Sequence, residues 1–396
     1  MGYFMKICAL VAEYNPLHNG HLRLINFIKQ ELKADKLIVI MSGNFCERGE
    51  SAVLDKYTRA KHAVKAGADM VIELPVVFST ANAEIFATGA VKLLKDTGVV
   101  DTLCFGVESG DENTYICASK AMLNETKEFK KVLKKHLDTG VSLAKAKFNT
   151  VKELSLPDLD ESIVNSPNNI LALEYTKAIM KLNANMEIKP FLRNSNHNDP
   201  KLYKNVTSAQ SIRLTLKQGL KRKVKKVVPK YVFSDLPSIP YDAEKYIISS
   251  LITSSAEEIA KTPDCTEGLE NRIKALLKEN TDYNELLDKV STKRYTKARI
   301  RRIMLANYLK IEEDFVFKCL KSPLYLKILA INANSTDLLS EIKQKASVPV
   351  LTRKADFKNL EKTALDCFEK DVTANDAYGL ISGERKNEFY TEIIEV

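Results

Sequence analysis

Two histidines near the start of the chain have the spacing expected of a phosphate-binding site. His18 and His21 are three residues apart, with Gly20 between them, and they follow an apolar stretch and an Asn-Pro turn. A buried strand that ends at this turn and leads into a helix would place both imidazoles on one face of the first helical turn. Unpaired backbone N–H groups and the helix dipole, equivalent to roughly +0.5 charge, favour phosphate at the same point. The spacing therefore predicts a site for the triphosphate of a nucleotide, with Gly20 leaving room for a flat base or ribose.

This strand–HxGH–helix pattern resembles the nucleotidyltransferase superfamily, which includes class I aminoacyl-tRNA synthetases and small adenylyltransferases. A second motif, Ser208-Ala209-Gln210-Ser211-Ile212-Arg213, looks like the second signature of the small nucleotidyltransferases. In that superfamily it meets the triphosphate from the side opposite the histidines, where cations neutralise the departing pyrophosphate. We therefore predict that Arg213 acts together with His18 and His21. Taken alone, the motif is typical of an ordinary capped helix.

The elements that must position these residues alternate between strand and helix in the first half of the chain. Strands are predicted over residues 6–11, 37–41, 70–74 and 99–105, and helices over residues 18–32, 55–66 and 81–94. Short, continuously apolar strands separated by helices indicate a parallel sheet covered on both faces, and hence a Rossmann-like α/β fold. Ligands bind such sheets at the carboxyl ends of the strands, where the histidine turn, Ser42-Gly43-Asn44 and Gly106 all fall.

Two further side chains at this end of the predicted sheet could contact a nucleotide. A fifth strand over residues 186–192 is predicted at an edge of the sheet, because Pro190 lacks a backbone N–H. Arg193 follows it, and its planar fork suits a phosphate or carboxylate, although it could also be a surface arginine. Asn168, in Ser166-Pro167-Asn168, could contact an adenine or ribose edge or simply cap the helix that begins there.

Beyond residue 240 the sequence predicts an almost wholly helical region with no parallel-strand rhythm. We place a boundary near residues 220–235, which gives an α/β domain over 1–225 and a mostly α-helical domain over 226–396. Residues 217–226 and 293–302 each contain six basic residues and no acidic one. In the second cluster Arg294, Lys297 and Arg301 have the spacing of one helix face, which suits a nucleic-acid backbone. The alternative is a solvated helix face.

Composition excludes several other classes of protein. The net charge is +9, with 45% hydrophobic and 28% charged residues, as in an ordinary soluble protein. No apolar run approaches the roughly 18 residues that cross a bilayer. Seven scattered cysteines without a CxxC pair indicate a reducing cytoplasm and argue against a zinc site. The sequence shows no Walker-type phosphate loop, no metal-ligand cluster and no serine-hydrolase elbow, and it indicates no stable protein partner.

Several longer strings make the chain resemble the bacterial tRNA(Met) cytidine acetate ligases over essentially its whole length. The first is the histidine turn itself, and the second is Met41-Ser42-Gly43-Asn44-Phe45 with Arg48-Gly49-Glu50. The remaining strings are Ala66-Gly67-Ala68-Asp69-Met70-Val71-Ile72-Glu73-Leu74-Pro75, Phe105-Gly106, Ser166-Pro167-Asn168-Asn169-Ile170-Leu171, Arg193 and Thr292-Lys293-Arg294-Tyr295-Thr296.

The resemblance implies which residues hold ATP. In the family the nucleotide lies along the first loop and helix, with further contacts at positions that match Gly106, Asn168 and Arg193. The loop and helix positions are Val11, Ala12, Glu13, Tyr14, Asn15, Pro16, Leu17, His18, Asn19, Gly20, His21, Leu22, Arg23 and Leu24. The family tends to carry Tyr-His-Asp after the arginine, whereas this chain has Asn194-Ser195-Asn196-His197-Asn198-Asp199, so His197 is given no role.

The resemblance also implies a reaction. Acetate would attack the α-phosphate of Mg-ATP to give acetyl-adenylate, and N4 of the wobble cytidine (position 34) of elongator tRNA(Met) would then take the acetyl group. The helical region, with Arg294, Lys297 and Arg301, would hold the tRNA. One alternative is a metabolite adenylyltransferase, which leaves both basic clusters without a purpose. Another is a non-catalytic RNA-binding protein with a degenerate nucleotide fold, which the intact histidines and Arg213 argue against.

Overall fold

A computed structural model describes residues 5–123, 126–141, 143–154, 161–193, 208–388 and 393–396. The segment with His197 lies outside these ranges. The strands form one large sheet and one short hairpin, β3–β4. Their bounds are β1 Ile7–Ala12, β2 Lys36–Ser42, β3 Phe45–Cys46, β4 Glu50–Ser51, β5 Met70–Leu74, β6 Thr102–Val107, β7 Glu187–Leu192, β8 Leu326–Ile331, β9 Val350–Leu351 and β10 Ile394–Glu395.

The large sheet has the strand order β10-β8-β5-β2-β1-β6-β7, with β9 paired to β8. All five strands predicted in the first half are present and pair in parallel, so the predicted α/β parallel sheet is confirmed. Strand β7 is an edge strand, as Pro190 indicated. Strand β1 lies near the centre of the sheet, so the histidine turn that follows it is surrounded by other strand ends.

Helices cover the sheet and make up most of the second half of the chain, as predicted. Residues Phe27–Glu31 continue the first helix as a π-helical turn, and Ala333–Ser335 and Lys354–Asn359 form 3-10 turns. The α-helices are α1 Asn19–Asn26, α2 Lys56–Lys65, α3 Val76–Ser79, α4 Ala83–Thr97, α5 Glu112–Leu123, α6 Lys127–Leu137, α7 Leu143–Glu153, α8 Ser162–Asn165, α9 Pro167–Lys181, α10 Ala209–Lys217, α11 Lys221–Val224, α12 Lys230–Asp235, α13 Glu244–Thr253, α14 Ala256–Ala260, α15 Leu269–Leu277, α16 Tyr283–Val290, α17 Lys297–Tyr308, α18 Glu313–Lys321, α19 Thr336–Lys345 and α20 Lys362–Ser382.

Alternating side chains along the central strands bury two hydrophobic cores, one on each face of the sheet. On β1, Ile7 and Ala9 face one core, whereas Cys8 and Leu10 face the other. The first core continues into the helices beyond residue 243 and includes Leu251. The second lies beneath the start of α1 and extends to Val224, Val227 and Val228. Both faces are covered, as the continuously apolar strands predicted.

The second half of the chain also contributes to the sheet, which the sequence analysis did not predict. Strand β8 is fully buried and pairs antiparallel with β5, and β10 pairs in parallel with β8. The expectation of an almost strand-free region beyond residue 240 is therefore wrong at these positions. The run Leu326–Ile331 is short and apolar, and such a run does not by itself distinguish a strand from a buried helix. The boundary between residues 225 and 226 stays a prediction.

No helix in the described ranges is long and apolar enough to cross a membrane.

Candidate active site

A cleft opens at the carboxyl ends of β1, β6 and β7, where the sequence predicted a ligand site. Its walls come from the turn after β1, the first turns of α1 and α9, and the tip of the β3–β4 hairpin. The lining residues are Leu10, Val11, Ala12, Glu13, Tyr14, Asn15, His18, Gly20, His21, Leu24, Glu47, Arg48, Phe86, Gly106, Pro167, Asn168, Leu171, Tyr175, Phe191, Arg193 and Ala209. Charged groups and aromatic rings therefore face the same space.

Most of the predicted nucleotide-binding residues lie on this cleft. Five members of the first loop and helix do not: Pro16, Leu17, Asn19, Leu22 and Arg23. Leu17 is 1% exposed and packs into the core beneath α1. The Asn19 side chain points away to the backbone carbonyl of Lys226, at 3.1 Å. Residues 22 and 23 follow His21 on other faces of the helix, because successive helical residues are rotated by about 100°.

The two histidines face each other at the start of α1. Their rings stack with centroids 3.8 Å apart, and Tyr14 approaches the His21 ring edge-on at 5.0 Å. His18 caps the helix: its Nδ1 accepts from the backbone N–H of Gly20 at 3.0 Å, and the backbone N–H of His18 donates to Nδ1 of His21 at 3.2 Å. Because both Nδ1 atoms accept hydrogen bonds, each ring carries its proton on Nε2. The local hydrogen bonds thus fix the tautomer and the orientation of both rings.

One part of the predicted phosphate site is wrong. The backbone N–H groups of the first helical turn were expected to be unpaired, but those of residues 19, 20 and 21 donate inside the protein. Asn19 donates to the carbonyl of Val227 at 3.0 Å, Gly20 to the His18 ring, and His21 to the His18 carbonyl at 2.9 Å. The histidines act as caps themselves, which the sequence spacing did not reveal. Side chains, rather than these amides, are left to meet a phosphate.

Gly106 and Arg193 form the opposite wall of the cleft. A Cβ atom at Gly106 would lie 2.9 Å from Cδ of Arg193, so a side chain at this position would force the arginine side chain to shift. The backbone N–H of Arg193 donates to the carbonyl of Val107 at 2.7 Å. Burial lowers the pKa of the Arg193 guanidinium, a group that stays charged in proteins. Arg193 is therefore a half-buried cation that lines the cleft at the end of β7, and not a surface arginine.

Asn168 also lines the cleft, but it does not cap its helix. Ser166 is the cap, since its side chain accepts from the backbone N–H of Asn169. The Asn168 amide donates to Oε1 of Glu108 at 2.5 Å, and Ser166 donates to the other oxygen of the same carboxylate. Glu108 therefore orients the Asn168 side chain toward the cleft.

The hairpin tip contributes Glu47 and Arg48, which the sequence analysis did not assign to the site. The backbone N–H of Glu47 donates to Oε1 of Glu13 at 2.8 Å, and Arg48 donates to Oε1 of Gln210 at 3.0 Å. Burial raises the pKa of the Glu47 carboxyl, and its ion pair with Arg302 at 3.1 Å opposes that effect. Glu47 and Arg48 lie in the hairpin that follows β2. This position could have identified them as site residues from the sequence, because the carboxyl ends of neighbouring parallel strands meet at the same edge of the sheet.

Arg213 is close to the cleft but is not part of its lining. One guanidinium nitrogen donates to the carbonyl of Asn15 at 3.0 Å, and the other pairs with Glu50 at 3.1 Å. Ser208 caps α10, as the motif predicted. The structure therefore places Arg213 where it braces the backbone of Asn15 in the histidine turn, outside the lining of the cleft.

Arg59 holds the strand ends together from beneath. It is 1% exposed and donates to the carbonyls of Glu13 at 2.6 Å, Ser42 at 3.1 Å and Leu54 at 2.9 Å, and also to that of Gly43. Among the lysines and arginines buried in the described ranges, the other three, Lys56, Lys177 and Lys327, have carboxylate partners. Arg59 has none there, so its positive charge is not neutralised by a neighbouring side chain.

The predicted three-cation helix face is not formed. Helix α17 begins at Lys297 with Thr296 as its cap, so Arg294 lies in the preceding turn. Each cation has a carboxylate partner: Arg294 pairs with Glu267, Lys297 with Asp288 at 2.5 Å, and Arg301 with Glu50 at 2.8 Å. Thr296 is a residue type that commonly caps helices, so the sequence could have indicated that this helix begins after Arg294. The contribution of these residues to RNA binding stays a prediction.

Comparison with known proteins identifies the family. The model of the family described as HIGH Nucleotidyl Transferase matches residues 5–392. The tRNA(Met) cytidine acetate ligase of Acetivibrio thermocellus is 34% identical over 392 residues, covering 94% of each chain. The enzyme of the same name from Thermoanaerobacter sp. (strain X514) is 36% identical over 388 residues, covering 95% of each.

Solved structures agree with this assignment. The apo structure of Thermotoga maritima TmcAL superposes with a TM-score of 0.93 at 30% identity, covering 99% of this chain and 100% of that one. The same protein bound with α-thio ATP gives a TM-score of 0.90 at the same identity and coverage. The chain therefore belongs to the HIGH nucleotidyl transferases, within the family of the tRNA(Met) cytidine acetate ligases.

Proposed function

We propose that this enzyme uses ATP to activate acetate and then acetylates N4 of the wobble cytidine (position 34) of elongator tRNA(Met), in the cytoplasm. The observation that carries the proposal is the pair of oriented imidazoles, His18 and His21, that shares a cleft with Arg193. A relative with the same fold over its full length has been solved with α-thio ATP. The names of the relatives over nearly the whole chain support the tRNA substrate.

In the first step, an acetate oxygen attacks the α-phosphorus of ATP, and the bond from that phosphorus to the pyrophosphate oxygen breaks. We assign the Nε2–H groups of His18 and His21 to the phosphate oxygens that gain charge, and Arg193 to the same polyanion. Donors that are already oriented need no rearrangement as the charge develops, and such preorganisation is a large part of catalysis by many enzymes. Arg213 contributes by fixing the Asn15 carbonyl, and so the turn that carries both histidines.

In the second step, N4 of the cytidine attacks the acetyl carbonyl carbon, and the bond from that carbon to the AMP phosphate oxygen breaks. AMP and a proton are released. Because neither step needs a covalent enzyme intermediate, positioning of the two substrates supplies much of the rate. The cytidine must leave its stack in the anticodon loop to reach the cleft, at a cost of a few kcal/mol. Phe191, Tyr175 and Leu171 give the cleft the apolar and aromatic surfaces that flat rings require.

Mg²⁺ is proposed to enter with the nucleotide. Within the described ranges there is no group of three or more His, Cys, Asp or Glu residues that could hold a metal ion. We therefore assign the ion to the triphosphate of the substrate, since Mg²⁺ is usually bound through substrate phosphates rather than by a cage of protein side chains.

The decisive experiment is incubation of the purified protein with ATP, ¹⁴C-acetate and bulk tRNA, followed by digestion and nucleoside analysis. We expect label in N4-acetylcytidine, and AMP and pyrophosphate only when acetate is present. A parallel reaction with acetyl-CoA in place of ATP and acetate should give no product. Efficient acetylation from acetyl-CoA, or AMP transfer to a small phosphate ester, would contradict the proposal.

A further inference from the structure

A basic surface borders the helix that carries the two histidines. It consists of Arg222, Lys223, Lys225 and Lys226, which are all exposed. These residues belong to the first of the two basic clusters in the sequence, whose members were not assigned individually to tRNA contacts. The intervening Val224 is buried, so the cations point outward while the segment is anchored inward.

The segment is attached directly to the start of α1. The backbone N–H of Asn19 donates to the carbonyl of Val227 at 3.0 Å, and the Asn19 side chain donates to the carbonyl of Lys226 at 3.1 Å. Val227 and Val228 pack into the same core as Leu17. The segment that carries the basic surface is therefore fixed to Asn19 by hydrogen bonds and shares a hydrophobic core with Leu17, the two residues that flank His18.

The four cations also differ from their neighbours in having no carboxylate partner in the described part of the chain. Lys217, at the start of the cluster, approaches Glu244 at 3.5 Å, and Lys221 donates to the carbonyl of Leu236. In the second cluster, by contrast, Arg294, Lys297 and Arg301 each form an ion pair with a carboxylate. Exposed cations grouped on one face with no carboxylate partner attract polyanions, because binding releases the counterions condensed on the polyanion.

We propose that the basic surface of Arg222, Lys223, Lys225 and Lys226 binds the phosphate backbone of the RNA substrate. The inference rests on the proposed function, since it assigns a surface for that same substrate. The main RNA contact is then assigned to the basic surface, which is attached to the start of α1, and not to Arg294, Lys297 and Arg301. An RNA held there would contact the protein beside the helix that carries His18 and His21.

The test compares two variants that each lose four positive charges. The first changes Arg222, Lys223, Lys225 and Lys226 to Ala, and the matched control changes the exposed Lys127, Lys130, Lys131 and Lys134 of α6 to Ala. The Kd for tRNA is measured at several salt concentrations, and the KM for tRNA is measured in the acetylation assay. Thermal melting checks that both variants are folded.

We expect the first variant to bind tRNA at least about tenfold more weakly than the control. Its slope of log K against log[salt] should be flatter by about 3, because each lost phosphate contact removes roughly 0.7–0.9. The KM for tRNA should rise by a similar factor. If the first variant and the control have the same affinity and slope, the inference is wrong. If the first variant instead loses binding only to vesicles containing anionic lipid, the surface serves a membrane and the inference is equally wrong.

The wild-type protein in the same assay separates this inference from the proposed function. Wild type that acetylates tRNA, together with a first variant that behaves like the control, overturns only the assignment of the basic surface. Wild type that binds no tRNA and forms no N4-acetylcytidine overturns the proposed function itself.

Discussion

Positive charge is balanced in one region of this molecule and left unbalanced in another. Between the β3–β4 hairpin and α17, the arginines face carboxylates, with Arg302 against Glu47 and Arg301 against Glu50. Around the cleft, Arg59, Arg193 and the basic surface form no ion pair within the described ranges. The hairpin region joins the sheet to the helices through ion pairs, whereas the second region presents cations without carboxylate partners in the described ranges.

The difference has a physical meaning. A buried or half-buried cation without a counter-ion costs free energy in the isolated protein, and a ligand of opposite charge recovers it. Cations that already have carboxylate partners gain less from such a ligand, because they must first give up those partners. The unbalanced region is therefore the one that a polyanion such as ATP or RNA would bind. The predictions below test this contrast at buried and at exposed positions.

The strongest case of balanced charge lies inside the protein. Lys56 and Lys327 share Glu73 and Glu388, all with side chains at most 7% exposed. Lys327 stands on β8, Glu73 on β5 and Lys56 at the start of α2, so the cluster ties the late strand β8 to the first half of the chain. The cluster joins elements and does not line the cleft.

The first prediction removes one charge from this cluster. Lys327→Met should lower the free energy of unfolding by about 3–5 kcal/mol, because it leaves two buried carboxylates, Glu73 and Glu388, with Lys56 as their one remaining lysine partner. The ratio of ATP affinity to adenosine affinity should not change. Urea unfolding and calorimetric titration measure the two quantities. Lys345→Met, which breaks an exposed pair with Glu341, is the control and should cost at most about 1 kcal/mol. If Lys327→Met greatly changes the ratio of ATP affinity to adenosine affinity, paired cations also influence ATP binding, and the distinction between the two regions is wrong.

The second prediction separates the two roles of His18. His18→Ala and His21→Ala should each slow acetyl-adenylate formation by about 10² to 10³, the usual cost of losing one oriented donor. His18→Asn should be equally slow although its helix stays capped, because Asn can accept from the Gly20 N–H but has no donor at the Nε2 position. Pyrophosphate release measures the rate, and thermal melting measures the fold. If His18→Asn keeps the wild-type rate, His18 serves as a helix cap and does not donate to the phosphate.

The third prediction concerns the unbalanced charge of Arg59. Arg59→Met should weaken ATP binding about tenfold more than it weakens adenosine binding, because at an effective dielectric of 20 two unit charges about 10 Å apart still interact by about 1.7 kcal/mol. Arg59→Lys keeps the charge but loses the fork that holds four carbonyls, so its ratio of ATP affinity to adenosine affinity should stay near that of wild type. Both Kd values come from calorimetric titration. Equal losses for ATP and adenosine in Arg59→Met would mean that Arg59 only braces the strand ends.

These contrasts show what the sequence could and could not predict. The histidine turn and the five parallel strands depend on local patterns of apolar, proline and glycine residues, and they were predicted correctly. Strand β8 was missed because its partner β5 is distant in sequence and its pairing is antiparallel. The balance of charge was missed for the same reason. Arg301 and Lys226 belong to clusters with the same number of basic residues. Only the tertiary fold brings Glu50 to Arg301 and leaves Lys226 without a carboxylate partner in the described ranges.

The smallest expected effect belongs to the second basic cluster. Changing Arg294, Lys297 and Arg301 to Ala should weaken tRNA binding by less than the four-residue change in the basic surface, because each of the three must leave a carboxylate to reach a phosphate. Arg294 and Lys297 are more than half exposed, and such pairs contribute about 0–1 kcal/mol to stability, so the fold should survive.

Arg301 is the exception within the triple variant, because its partner Glu50 also holds Arg213, which braces Asn15. Arg301→Ala alone should therefore raise the KM for ATP modestly, whereas the double variant of Arg294 and Lys297 should not. Filter binding at several salt concentrations and pyrophosphate release measure the two effects. If the triple variant loses more tRNA affinity than the basic-surface variant, paired cations are the main RNA contact after all, and charge balance does not distinguish the two regions.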